Sequence, residues 1–248
     1  MKRVINWQVL LGLTLIALSA LVYYMHYLIF RDVHHIFLYL IGDIAFVFIE
    51  VLLVTLVLHQ LLHYRERKAM LNKLNMVIGA FFSEVGTELL KTFSIFDKDT
   101  SNITQKLVVT DAWSKKDFSK ILKNIKNHSH NIDSKRGNLE DVKNFLKEKR
   151  QFLLNLLENP NLLEHESFTN LLWAVFHLTE ELIHRRKLTG LPDSDYNHLS
   201  GDIKRVYHLL IAEWLNYMKH LKNNYPYLFS LALRTNPFDS NAVVEVRQ

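Results

Sequence analysis

The chain contains no cysteine, only seven glycines and only four prolines among its 248 residues. Without thiols it can form no disulfide bond, no thiolate metal site and no cysteine nucleophile. The scarcity of glycine leaves few tight loops for cradling phosphate groups. The sequence also lacks the common signatures of nucleotide-binding, zinc-protease and serine-hydrolase sites. We therefore predict that the protein is not an enzyme and carries no cofactor.

Two long apolar runs, residues 4–30 and 36–62, fill the first quarter of the chain. A helix needs about 20 apolar residues to cross the hydrocarbon core of a bilayer, and each run is longer than that. Only a short polar segment separates them. The sequence therefore predicts that residues 1–62 form a two-pass transmembrane hairpin in the lipid bilayer.

The distribution of basic residues predicts the orientation of this hairpin. Lys2 and Arg3 precede the first run, and a second basic group, residues 65–68, follows the second run. The loop between the runs has only Arg31, whose charge Asp32 balances. Because basic residues favour the cytoplasmic side, we expect both termini in the cytoplasm and localisation in the cell (inner) membrane.

Two carboxyl side chains, Asp43 and Glu50, interrupt the second apolar run. They are separated by about two helical turns and so share one face of the helix. In the first run, Ser19, Tyr23 and His26 follow the same spacing and could form a matching polar face. The two faces could line an ion or proton pathway in a homo-oligomer, since ionisable residues in membranes are often functional. Alternatively, hydrogen bonds between them could hold helices and subunits together, contributing about 0.6–2 kcal/mol each.

The remaining residues read as a helical stalk, residues 63–93, followed by a cytoplasmic helical domain, residues 94–248. The stalk is predicted because its apolar residues recur every three to four positions without an intervening proline. Capping residues and apolar periodicity predict further helices at residues 114–128, 138–158, 168–188 and 195–222. Residues 97–104 look loop-like, and a short strand at residues 106–110 is an option. The predicted fold class is thus all-α, ending in a cytoplasmic helical bundle.

The segment at residues 115–136 is strongly basic, with an apolar stripe and an opposite lysine face. The lysines of that face are Lys116, Lys120, Lys123 and Lys126. Basic amphipathic helices bind anionic membrane surfaces, and each lysine contributes about 1 kcal/mol. The alternative is a helix that docks on the bundle and leaves its lysines in solvent. No recognition fold for nucleic acid is present, so nucleic acid is not an expected partner.

Two pairs of side chains have a spacing that occurs in metal sites. His59 and His63 are four residues apart, which places both imidazoles on one helix face. Glu181 and His184 match one half of the paired motif found in carboxylate-bridged di-iron bundles. The Glu181 and His184 motif occurs in one copy where such bundles need two, and the alternative for it is a solvated charged helix face. His59 and His63 lack further ligands, and the alternative for them is a pair of imidazoles that extend into the headgroup layer.

These observations predict a homo-oligomeric integral membrane protein with a cytoplasmic interaction or signal-relay domain. The expected partners are the bilayer, further copies of the chain, and a cytoplasmic protein or an ion. The chief alternative is an oligomeric ion channel or proton pathway lined by Asp43 and Glu50. A third possibility is a membrane-tethered metalloenzyme that uses Glu181 and His184.

Overall fold

The computed structural model describes residues 7–160, 162 and 165–245, and this part of the chain contains helices and no β-strands. The helices are α1 (Trp7–Phe30), α2 (Val33–Phe81), α3 (Thr87–Phe96), α4 (Thr100–Leu107), α5 (Lys115–Lys126), α6 (Leu139–Leu157), α7 (Glu166–His184), α8 (Asp193–Asn224) and α9 (Pro226–Arg234). A π-helical turn, Phe82–Gly86, follows α2 directly. The predicted all-α fold class is confirmed.

The chain divides into two compact units, Met1–Arg67 and Lys68–Gln248. The orientation prediction draws on Lys2 and Arg3, which lie outside the described residues, as do residues 4–6 of the first apolar run. The side chains of Arg67 and Lys68 lie outside the described set as well.

The first unit is a pair of apolar helices joined by a tight turn. Arg31 takes a φ of 48°, and the Asp32 carboxylate accepts a 3.1 Å hydrogen bond from the His35 amide at the start of α2. Two segments, Val9–Phe30 and Val33–Glu66, are long and apolar enough to cross a membrane. In neither segment is any part of the most apolar 18-residue stretch buried within the chain. Their apolar surface is therefore not covered by the protein itself.

The second unit has a continuous hydrophobic core that begins with the last turns of α2. Leu74, Ile78 and Phe81 are buried there, because residues at this spacing share one helix face. The Phe81 ring packs edge-on against Phe168 of α7, with 5.3 Å between the ring centroids. From Leu74 onward, the segment predicted as a stalk thus belongs to the core of this unit.

The predicted helices at residues 114–128, 138–158, 168–188 and 195–222 correspond to α5–α8. Residues 97–99 lie outside any helix, but the prediction of a loop at residues 100–104 and the optional strand at residues 106–110 are wrong, because Thr100–Leu107 forms α4. Ile103 and Leu107 lie one turn apart on α4 and are both buried, so tertiary packing stabilises a helix whose polar sequence hid it.

A short loop reverses the chain between α7 and α8. Gly190 in this loop has a φ of 69°, a backbone conformation that glycine adopts without the steric cost of a side chain. The helix α8 then returns antiparallel to α7, and both bury apolar stripes in the core. Their polar positions are brought together along the line where the two helices meet.

Candidate functional site

Four side chains of α7 and α8 form a compact polar group, which we call the α7/α8 cluster: His177, Glu181, His198 and Asp202. Each helix contributes a histidine and a carboxylate four residues later, so that both side chains point from one face. Because the helices are antiparallel, His177 faces Asp202 and Glu181 faces His198.

Four distances between a ring nitrogen and a carboxylate oxygen, each below 4 Å, connect the side chains of the cluster. His177 Nε2 lies 3.6 Å from Asp202 Oδ2 and 3.9 Å from Glu181 Oε1. His198 Nε2 lies 3.3 Å from the same Asp202 oxygen and 3.5 Å from Glu181 Oε2. The two imidazole nitrogens and Asp202 Oδ2 lie within 4.8 Å of one another, and Glu181 borders them through its two oxygens. Within the described part of the chain, His177, His198 and Asp202 form the one set of three potential metal donors that approach one another this closely.

Asp202 is the buried member of the cluster, with a side chain that is 4% exposed. Its Oδ1 atom lies 3.2 Å from Arg205 NH1, one turn further along α8. Its Oδ2 atom is buried and accepts no hydrogen bond in the described structure. Buried polar atoms nearly always have a hydrogen-bond partner, so a buried oxygen without one is unusual.

Arg185 borders the cluster at the end of α7. Its NH1 atom donates to Glu181 Oε2 at 2.6 Å, while Nε and NH2 form a paired contact with both oxygens of Asp195. The Arg185 hydrogen bonds lower the pKa of both carboxyls and, together with the charges, raise the pKa of the guanidinium. Glu181 is therefore ionised at neutral pH.

Chemically, this arrangement offers two nitrogen and two oxygen donors of the kind that hold first-row transition metals. The simpler interpretation is a ladder of weak ion pairs along two helices. Three of the side chains are at least partly exposed, and exposed ion pairs contribute only about 0–1 kcal/mol each.

A second polar group lies in the core, around the side chain of Asp97. His130 Nδ1 lies 3.2 Å from Asp97 Oδ2, and both side chains are fully buried. A carboxylate can only accept, so His130 Nδ1 carries the hydrogen, and its buried Nε2 has no hydrogen-bond partner among the described atoms. Burial lowers the pKa of His130 below its ordinary value of 6.5. The rings of His128 and His208 pack edge-on against His130, at centroid distances of 5.1 and 5.7 Å.

The structure separates the predicted pair Glu181 and His184. Glu181 belongs to the α7/α8 cluster, whereas the His184 side chain is 77% exposed and bonds through Nδ1 to the carbonyl oxygen of Glu180 at 2.8 Å. His59 and His63 contact each other edge-on at 4.5 Å, and both are exposed.

Of the predicted intramembrane face, His26 is brought next to the second helix. Its ring stacks on that of His35 with centroids 6.1 Å apart, at the turn between the helices. Ser19, Tyr23, Asp43 and Glu50 are all exposed in the structure of the single chain. A contact between the two polar faces stays a prediction.

The lysine face of α5 is in solvent. The helix begins at a capping box, in which Ser114 accepts from the Asp117 amide and Asp117 accepts from the Ser114 amide. Phe118 and Ile125 are buried, so the apolar stripe docks on the unit's own core. Lys116, Lys120, Lys123 and Lys126 are exposed. Their binding to a membrane surface stays a prediction.

The sequence reasoning missed the pairing of α7 with α8, and with it His198 and Asp202. A signal was available: a histidine followed four residues later by a carboxylate occurs in two consecutive predicted helices, at His177–Glu181 and at His198–Asp202. An antiparallel helix pair with such repeated motifs can place four donors on one face.

Comparison with known proteins identifies the family of this two-part helical chain. Residues 70–234 match the family "Uncharacterized protein MJ1433, C-terminal helical domain", and residues 2–62 match "MJ1433, N-terminal helical domain". The chain is 51% identical over 239 residues to the uncharacterized protein MJ1433 of Methanocaldococcus jannaschii, covering 96% of each chain. No solved structure matches it. The chain belongs to the MJ1433 family.

Proposed function

We propose that this protein is an integral membrane protein whose cytoplasmic helical unit binds a ligand or protein partner and relays that event to the membrane segment. The anchor is formed by α1 and the apolar part of α2, and both termini lie in the cytoplasm. The protein acts as a homo-oligomer in the cell (inner) membrane.

The observation that carries this proposal is the contrast between the two units. The second unit buries a complete core, whereas the apolar windows of the first unit are entirely unburied. Exposing so much apolar surface to water is strongly unfavourable, and soluble monomers rarely expose apolar patches beyond a few hundred Å². A bilayer would cover this apolar surface.

The relay part of the proposal is supported by the bounds of α2. This helix, Val33–Phe81, carries the intramembrane Glu50 near its first third and the fully buried Phe81 at its end. A change in how Phe81 packs in the core therefore acts on the helix that also carries the intramembrane acid.

The absence of cysteine allows a direct test of the membrane topology. Single variants His34→Cys, at the start of α2, and Asn124→Cys, on α5, replace exposed residues and leave no background thiol. In intact cells a membrane-impermeant maleimide should label the first variant, and it should label the second only after the membrane is opened. Labelling of Asn124→Cys in intact cells, or release of the protein from membranes at high pH, would contradict the proposal.

Cross-linking tests the oligomer and the relay together. Val47 lies on the face of Asp43 and Glu50, whereas Leu52 lies on the opposite face of the same helix. Oxidation should join copies through Val47→Cys more efficiently than through Leu52→Cys. Adding Phe81→Leu, which disturbs the core end of α2, should change the Val47→Cys yield. The control Ile95→Ala, at an exposed position, should not change it. Equal yields in all variants would count against a relay.

A second candidate function is an ion or proton pathway, because Asp43 and Glu50 are exposed on one face of an otherwise apolar helix. Carboxylates facing lipid cost about 2.5–3.5 kcal/mol each on insertion scales, so they gain from facing a shared axis. Reconstituted protein should then conduct cations or protons, and Glu50→Gln should change the flux. Vesicles no leakier than empty ones would exclude this function.

The third possibility, a metalloenzyme built on Glu181 and His184, has no supporting contact between those two side chains in the described structure.

A further inference from the structure

We propose that the α7/α8 cluster is a binding site for one divalent first-row transition metal ion, such as Zn²⁺. The ligands are Nε2 of His177, Nε2 of His198 and Oδ2 of Asp202, with the Glu181 carboxylate as the fourth. The site lies wholly within the second unit, so it is independent of the membrane function proposed above.

The spacing of three of the donor atoms is close to that of ligands in a tetrahedral site. Zinc binds imidazole nitrogen and carboxylate oxygen at about 2.0–2.1 Å, which places neighbouring ligand atoms about 3.3 Å apart. His198 Nε2 and His177 Nε2 lie 3.3 and 3.6 Å from Asp202 Oδ2, and all three atoms are within 4.8 Å of one another. Glu181 approaches them with Oε1, which lies 3.9 Å from His177 Nε2, while its Oε2 bonds to Arg185.

The same distances argue against a set of ordinary ion pairs. Charge-assisted hydrogen bonds between a ring nitrogen and a carboxylate are short, at about 2.7–2.9 Å. Nearby Arg185 achieves 2.6 Å to Glu181, so the local backbone permits such contacts. Both histidines, in contrast, stop at 3.3 Å or more from the carboxylate oxygens. The ring nitrogens therefore lie close to the carboxylate oxygens without forming short hydrogen bonds to them.

The unpartnered oxygen of Asp202 is the second, independent observation. The Asp202 side chain is more than nine-tenths buried, and its Oδ2 atom points toward both imidazoles without accepting a hydrogen bond. Leaving a buried charged oxygen unsatisfied is costly. A cation between Asp202, His177 and His198 would satisfy it.

Two arginines contact the carboxylates of the cluster from outside it. Arg205 holds Asp202 Oδ1 at 3.2 Å and leaves Oδ2 for the ion, while Arg185 orients Glu181 through Oε2. Calcium and magnesium favour all-oxygen sites, whereas the two imidazoles select a transition metal.

The experiment uses the full-length protein, purified in detergent and stripped of metal with a chelator. Titration with Zn²⁺, followed by dialysis and elemental analysis, should give one bound ion per chain. Titration with Co²⁺ should produce the intense visible absorption of a four-coordinate site. Asp202→Asn and the more exposed variant His198→Gln should each weaken binding by at least about 10–100-fold, the range reached even by outer-shell changes.

The matched control is His184→Gln, which removes an exposed histidine of α7 outside the cluster and should leave binding unchanged. Because His198 is half exposed, its variant should keep the fold and remain informative if Asp202→Asn does not fold. No metal above background in the wild type, or equal binding by wild type and His198→Gln, would overturn the site. An unchanged Co²⁺ spectrum in Glu181→Gln would overturn the assignment of the fourth ligand.

Discussion

The most stringent stability test concerns Asp97, the buried carboxyl that follows α3. Its Oδ2 atom accepts from His130 Nδ1 at 3.2 Å, and its Oδ1 atom accepts from the amides of Asn131 and Asp99 at 3.3 and 3.1 Å. The hydrogen bonds from His130 and Asn131 connect the loop before α6 to the end of α3. The variant Asp97→Ala removes all three contacts at once.

The expected cost follows from which donors can reach water afterwards. Asn131 and Asp99 are exposed residues, so their amides regain solvent and lose little. The His130 side chain is fully buried, and its N–H would remain without a partner. An unsatisfied buried donor costs about 1–3 kcal/mol, and hydrogen bonds to a charged group contribute about 1.5–3 kcal/mol. We therefore expect the free energy of unfolding to fall by about 1–3 kcal/mol.

Thermal unfolding of the detergent-solubilised chain, followed by tryptophan fluorescence, measures this effect. Trp214 is buried in the same unit and reports on its core. For a unit of this size each kcal/mol lowers the midpoint by about 2–4 °C, so the shift should be about 2–12 °C. The control Asp99→Ala removes an exposed carboxyl two residues away and should shift the midpoint little. If Asp97→Ala and Asp99→Ala unfolded at the same temperature, the assigned role of Asp97 would be wrong.

Three further predictions address pH and packing. Because the pKa of His130 is lowered in the folded state, the unfolded chain binds a proton more readily than the folded one. The stability contributed by neutral His130 should therefore be full above about pH 6.5 and fall as the pH drops below it, by at most about 1.4 kcal/mol per pH unit. The variant His130→Gln should flatten this slope in pH-dependent melting curves. Phe168→Ala should destabilise the second unit by about 3–5 kcal/mol in chemical denaturation, because Phe168 is fully buried, whereas Trp173→Ala, at a mostly exposed position, should change the midpoint little. Gly137→Ala should cost about 1–3 kcal/mol in the same assay, since its Cβ would lie 2.5 Å from the ring of Phe96; unchanged stability would mean that this ring moves freely.

Local patterns in the sequence were sufficient for most of the helices. The apolar runs indicated α1 and the first part of α2, and caps such as Ser114 and Asn138 marked the starts of α5 and α6. The helix α4 was missed because only Ile103 and Leu107 carry its apolar face. Two apolar residues one turn apart are too few to show helical periodicity in the sequence. The helix is stabilised by the core against which these residues pack.

The candidate site shows the same limit more clearly. Helical spacing alone places His177 with Glu181 and His198 with Asp202, because side chains four residues apart share a face. It does not say that these two faces meet, nor that Asp202 is the buried member. The misleading motif was Glu181 with His184, whose spacing is equally helical but whose histidine lies in solvent.

Composition and local patterns were enough to predict that the chain is helical, that its first 62 residues hold two apolar segments of membrane-spanning length, and that thiol chemistry is impossible. These properties depend on composition and on contacts between near neighbours. The entry of the last turns of α2 into a hydrophobic core, and the contact of Asp97 with His130 inside that core, appear only in the folded molecule. The same is true of the approach of His177 to Asp202 and of His198 to Glu181, each to within 4 Å. Contacts between residues far apart in the chain depend on how helices pack, and no local pattern encodes that packing.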